Sequence, residues 1–92
     1  MFALARLHAL VDQRLGGDRS RLLELFDTRE VFELLREDSS ASDWFHFEPR
    51  TFDGEYLVEE AGGFVVYQQD RGARSNERRF ASLRDAARAV FG

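Results

Sequence analysis

His46 and Glu48 are the two residues whose types and spacing come nearest to chemistry in this chain. They stand two apart in the run Trp44-Phe45-His46-Phe47-Glu48-Pro49, so in a strand both project from one face. An imidazole beside a carboxylate can begin a metal site, but zinc takes three or four protein ligands. His8 is the only other histidine, it sits in an apolar helical pattern, and there is no cysteine. His46 therefore reads as a hydrogen-bonded or interfacial residue, and neither metal nor cofactor is expected. Serine chemistry is equally unsupported. A hydrolase triad needs a nucleophile, a base and an orienting acid. Ser20 and Ser82 stand where helix caps belong, and Ser39, Ser40 and Ser42 fall in a polar linker. Gly16-Gly17 and Gly62-Gly63 lack the lysine and spacing of a phosphate loop. Glu59 and Glu60 would point to opposite faces of a strand and so could not act on one bond. A non-enzymatic protein is expected.

Charge is unevenly spread. From Glu24 to Glu60 there are twelve acids and three arginines; from Arg71 onward there are six arginines and two acids. Every basic residue is arginine, and the chain carries a net −4. Arg71, Arg74, Arg78 and Arg79 form the one candidate phosphate patch. Phosphate contacts dominate nucleic-acid affinity, so such binders carry a basic balance that this chain lacks. Those arginines are expected to pair with the chain's own acidic half, and no nucleic-acid partner is expected. The acidic segment suits a basic protein partner, with a solvated helix face as its plainer explanation.

The elements that must position these residues follow from periodicity. Leu4, Leu7, Val11 and Leu15 predict a helix over residues 3–15, ended by Gly16-Gly17. Asp18 or Ser20 starts a second short helix. Asp27 and Glu30 have the spacing of a capping box for a third; alternatively residues 21–37 form one helix. Residues 38–43 are a polar linker. Trp44 to Glu48 predicts a strand, Glu55 to Glu60 a second and Phe64 to Gln69 a third, with Gly62-Gly63 as the hairpin turn. In that register Ala61 opposes Phe64, Glu59 opposes Val66 and Leu57 opposes Gln68. One sheet face then holds Leu57, Phe64 and Val66, and the other Tyr56, Val58, Val65 and Tyr67. Both are apolar, so either helices cover both or one is a docking surface. Residues 77–81 can add a short strand, and Ser82 caps a last helix bearing Leu83, Ala86, Ala87, Val90 and Phe91.

Ninety-two residues fit one domain with a modest core, and nine Phe, two Tyr and one Trp supply its bulk. The fold class is α+β: N-terminal helices in a helical part over residues 1–38, then a three- to four-stranded antiparallel meander and a C-terminal helix over residues 43–92, all one domain. Parallel pairs are not expected, because short turns join the strands. The lack of cysteine and of any signal peptide or apolar span points to a cytoplasmic protein without membrane contact.

The stretch Val66-Tyr67-Gln68-Gln69-Asp70-Arg71-Gly72, followed by residues 79–87 with Phe80, Asp85 and Ala86, resembles small bacterial immunity proteins of polymorphic-toxin systems. The resemblance covers the last third of the chain. It implies a non-enzymatic cytoplasmic protein that inhibits one cognate toxin domain by binding it. The alternatives are a small interaction module, such as a secretion chaperone or dimeric adaptor, and a small RNA-associated regulator using residues 71–79. Monomer and homodimer both remain open. The expected partner-binding residues are Glu33, Glu37, Asp38, Asp43, Trp44, His46 and Glu48. Trp44 is the expected anchor, unless it packs beneath an N-terminal helix; the face of Leu57, Phe64 and Val66 is the next candidate.

Overall fold

In the computed structural model, which describes residues 2–37 and 42–92, the N-terminal amphipathic run forms α1 (Ala3–Arg14). Its buried stripe is Ala3, Leu7, Leu10 and Val11. This is rotated from the expected Leu4-Leu7-Val11-Leu15 line, and Leu4 faces solvent. Gly16 and Gly17, both at positive φ, end the helix as expected. A 3₁₀ helix follows (Arg19–Asp27), with the Asp18 carboxylate accepting from the Ser20 amide. Thr28 is extended and breaks the chain before α2 (Arg29–Glu37), so residues 21–37 are two elements. Asp27 does not cap α2. Its carboxylate accepts from Arg84 at 3.0 and 3.2 Å instead, tying this corner to the last helix.

The sheet contains β1 (Phe45–His46), β2 (Gly54–Glu60), β3 (Gly63–Asp70) and β4 (Ala73–Phe80), in that spatial order. β2, β3 and β4 form the expected antiparallel meander, so the α+β class holds. β1, however, runs parallel to β2, pairing Phe45 with Glu55 and His46 with Tyr56. Parallel strands usually need a long crossover because the chain must travel back a full strand length. A two-residue strand removes that need: residues 47–53 return the chain by only two residues' rise. Strand β1 is also shorter than the expected Trp44 to Glu48.

The β2–β3 turn is Ala61-Gly62, not Gly62-Gly63, and Ala61 sits at φ 54°. A left-handed alanine costs about 1–2 kcal/mol. In return the register sets Leu57 against Val66, Val58 against Val65 and Tyr56 against Tyr67, like against like. The expected register would have set Leu57 against Gln68. Moving a two-residue turn by one position shifts every pair by two, so the division into two faces survives. β4 begins earlier than residue 77, and a bulge at Asn76-Glu77, with Asn76 at φ 52°, opposes Tyr67.

The helices lie on one side. α3 (Leu83–Phe91), capped by the Ser82 hydroxyl, packs on β2, β3 and β4 and on the 3₁₀ helix. The core joins Leu7, Val11, Phe26, Phe32, Phe47 and Leu83 to Leu57, Phe64 and Val66 of the sheet. Phe32 is central, edge-on to Phe47 at 6.2 Å and to Phe64 at 5.8 Å. The face of Leu57, Phe64 and Val66 is therefore interior and offers no docking surface.

No helix covers the outer face among the described residues. Tyr56, Val58, Val65 and Tyr67 form a second, fully buried cluster there. Over one end lies the 47–53 loop: Tyr56 and Gln69 bind the Phe52 carbonyl at 2.6 and 3.0 Å, and Gln69 also binds that of Arg50 at 2.7 Å. Over the other end, two arginines of β4 reach across β3 to β2. Arg74 lies 4.1 Å above the Tyr67 ring and contacts Glu60; Arg79 donates to the Glu60 carbonyl at 2.9 Å. Their aliphatic stems shelter apolar surface while the charged heads stay wet.

Candidate protein-binding site

The site grows from one carboxylate. The first turn of α1 has no side-chain cap of its own. Asp43 supplies one from forty residues away: Oδ2 accepts from the Ala3 amide at 2.6 Å, and Oδ1 accepts from the Phe45 amide at 3.2 Å. Asp43 is thus a buried structural clamp rather than a contact residue. The next residue, Trp44, is fixed from the other side, its carbonyl accepting from the Glu55 amide at 2.7 Å. That approach needs Gly54: a Cβ there would lie 2.3 Å from the Trp44 oxygen.

The backbone of Trp44 is held between α1 and β2 while its side chain is left 56% exposed, so the indole does not pack beneath a helix. Phe2 at 52% and Leu4 at 40% are the other exposed large apolar residues among those described. All three are sequence neighbours of the Ala3–Asp43 hydrogen bond. Phe2 and Leu4 escaped the sequence reading. The expected core stripe includes Leu4, whereas the buried line runs through Ala3, Leu7, Leu10 and Val11.

His46 is fully buried, with its ring 4.8 Å from that of Tyr56 and 5.4 Å from that of Phe52. Its Nε2 lies 3.3 Å from the Asp53 carbonyl. It is part of the interior that holds the 47–53 loop, a correction to its expected role as a contact. Glu48 diverges from it. Its Oε1 accepts from Arg36 at 3.0 Å and its Oε2 from Arg50 at 2.6 Å. Glu33 is exposed but occupied, accepting from Arg36 at 3.0 Å and Arg29 at 3.3 Å. Arg29 also grips Glu59 through two bonds of 2.7 and 2.8 Å. The chain Glu59–Arg29–Glu33–Arg36–Glu48–Arg50 thus stitches α2 to β2 and to the loop after β1. Glu30 is likewise bound to Arg14. Glu37, at the end of α2, is exposed; Asp38 lies outside the described residues.

Of the expected contact residues, the structure therefore keeps Trp44 and Glu37 accessible, engages Glu33 and Glu48 in ion pairs, and buries Asp43 and His46. Among the described residues no helix is long and apolar enough to cross a membrane. No family model, curated protein or solved structure matches the chain.

Proposed function

We propose that this protein is a non-enzymatic inhibitory binding protein of the bacterial cytoplasm, an immunity protein that neutralises a cognate toxin domain by direct contact. The observation that carries the reading is the indole of Trp44, solvent-exposed on a backbone pinned from both sides. Tryptophan is enriched at interface hot spots, and an anchor already held in place loses little freedom on binding. Phe2 and Leu4 would widen the apolar centre. A basic toxin domain with an apolar pocket fits this chemistry, and the net charge of −4 favours encounter with it.

The test is co-expression with the toxic C-terminal domain encoded by a neighbouring gene, scored for growth and for co-purification. The wild-type chain should restore growth and travel with the domain. Trp44→Ala should keep its thermal midpoint but lose roughly 2 kcal/mol or more of binding. Wild-type protein that neither rescues nor binds such a domain sinks the immunity reading. Rescue and affinity unchanged in Trp44→Ala would place the interface elsewhere.

A further inference from the structure

β4 is an open edge. Seven of its eight residues are exposed and the eighth, Phe80, is half-buried, with β3 on one side of the strand and no strand on the other among the described residues. Its hairpin carries Arg71, Arg74, Arg78 and Arg79 against Asp70 and Glu77, a cationic edge on an acidic chain. Arg74 and Arg79 are the arms closing the outer face. Arg78 is different. It pairs in register with Val66, so it stands on the helix side, and it holds no ion pair among the described residues. Beside it lies a groove of about 340 Å³ floored by Val66 and lined by Glu55, Gln68, Asn76 and Glu77. One wall is a set of side-chain bonds crossing three strands: Asn76 donates to Gln68 at 3.0 Å, and Gln68 donates to Glu55 at 3.1 Å.

We propose that β4 is a strand-addition site for an extended segment of a partner protein with acidic residues at alternate positions. Main-chain groups of an open edge recognise another main chain, and neighbouring pockets read alternate side chains. An acid on the helix side of the incoming strand would meet Arg78 beside the groove, and its sequence neighbours would project from the opposite face. A second copy is disfavoured, because antiparallel self-pairing about the strand's middle sets Arg74 against Arg78 or Arg79, and directly opposed like charges repel. The bulge at Asn76-Glu77 adds to this protection against self-association. This surface is separate from Trp44 and does not depend on the immunity reading.

The probe is a fluorescein-labelled peptide of alternating Glu and Val, about nine residues long to match the strand. It is titrated to ~1 mM and followed by anisotropy, beside a Lys-Val counterpart, a proline-interrupted Glu-Val peptide and a single-stranded oligonucleotide of equal charge. The Glu-Val peptide should saturate, slow hydrogen exchange of the residue 73–80 amides, and bind about tenfold more weakly to Arg78→Glu. The Lys-Val and proline peptides should bind about tenfold more weakly to the wild type. Absence of saturation overturns the proposal. So does equal binding of the proline peptide, which would reduce the effect to charge, or tighter binding of the oligonucleotide, which would make β4 a phosphate surface. Arg78 is solvent-exposed, so its variant should remain folded, and an unchanged thermal midpoint verifies that.

Discussion

Tyr56 and Tyr67 set up a comparison in which one chemical change has opposite signs at two neighbouring positions. The rings stack face to face on the outer side of the sheet, 4.9 Å apart and 6° from parallel, and both are fully buried. Tyr56 donates its hydroxyl to the Phe52 carbonyl at 2.6 Å. The Tyr67 hydroxyl is buried with no hydrogen-bond partner among the described residues. Tyr56→Phe removes a made hydrogen bond and leaves the loop carbonyl to Gln69 alone, so it should cost about 1 kcal/mol. Tyr67→Phe removes a desolvated and uncompensated hydroxyl, whose burial costs about 1–3 kcal/mol. Against this stands a weaker hold on the Arg74 guanidinium, which any aromatic ring attracts by only about 0.5–2 kcal/mol in total. The net expectation is stabilisation by about 1 kcal/mol, or roughly 4–8 °C in midpoint for a chain of this size. Urea and thermal unfolding of the two variants decide the matter. If Tyr67→Phe destabilises as much as Tyr56→Phe, its hydroxyl has found a partner and the account of this face is wrong. The alkaline limb offers an independent reading. Burial pushes both phenols above their ordinary pKa. A group raised in this way contributes fully below its unfolded pKa and loses that contribution as pH rises through the folded value. Stability should therefore decline above about pH 10, and less steeply in Tyr67→Phe.

Three further outcomes follow from the local geometry. Gly54→Ala would place a Cβ 2.3 Å from the Trp44 oxygen at φ 143°, so it should part β1 from β2 and cost roughly 3 kcal/mol or more, read by urea unfolding. Ala61→Asn relieves a left-handed alanine and restores the Asn-Gly turn preference, so it should raise stability by about 0.5–1 kcal/mol in the same assay. The hydrogen bonds from Arg29 hold the Glu59 carboxyl below its usual range. That contribution is present above the unfolded carboxylate pKa and fades as pH falls through the lower folded one, so Glu59→Gln should lower the midpoint at pH 7 and match the wild type near pH 2.

The fold was legible where a repeat spoke for a buried face. The alternation of Tyr56 to Glu60 and Phe64 to Gln69 predicted both sheet faces despite a misplaced turn, because a slip of one turn position preserves parity. Ser82 and the apolar spacing after it predicted α3 for the same reason. The misses lie where no local pattern exists. Ala73–Phe80 does not alternate, since an edge strand exposed on both sides has no face to mark; it is a strand because β3 supplies its main-chain partners. The parallel pairing of β1 depends on His46, Tyr56 and Gln69 at the carbonyls of residues 50–53, contacts that tie distant segments together. At the candidate site the exposure of the indole depends on Asp43 reaching Ala3, forty residues away.

The charge contrast between the two halves has a different meaning in the fold than in the sequence. Among the described residues, seven of the acids between residues 24 and 60 are in ion pairs, with Glu24 on Arg21, Asp27 on Arg84 and Glu60 on Arg74 joining the four bound by Arg14, Arg29, Arg36 and Arg50. Each exposed pair contributes about 1 kcal/mol or less. Their larger effect is to cancel the field a partner would feel. Of the carboxylates expected to share an interface with Trp44, Glu37 is the exposed one in no ion pair among the described residues. An interface there would be held by the indole and only lightly steered by charge, so salt should change its association rate far less than the run of twelve acids suggests. Arg78, which holds no ion pair among the described residues, gathers influence by the same cancellation. On this molecule the charges that stand out are the few the fold has left unpaired.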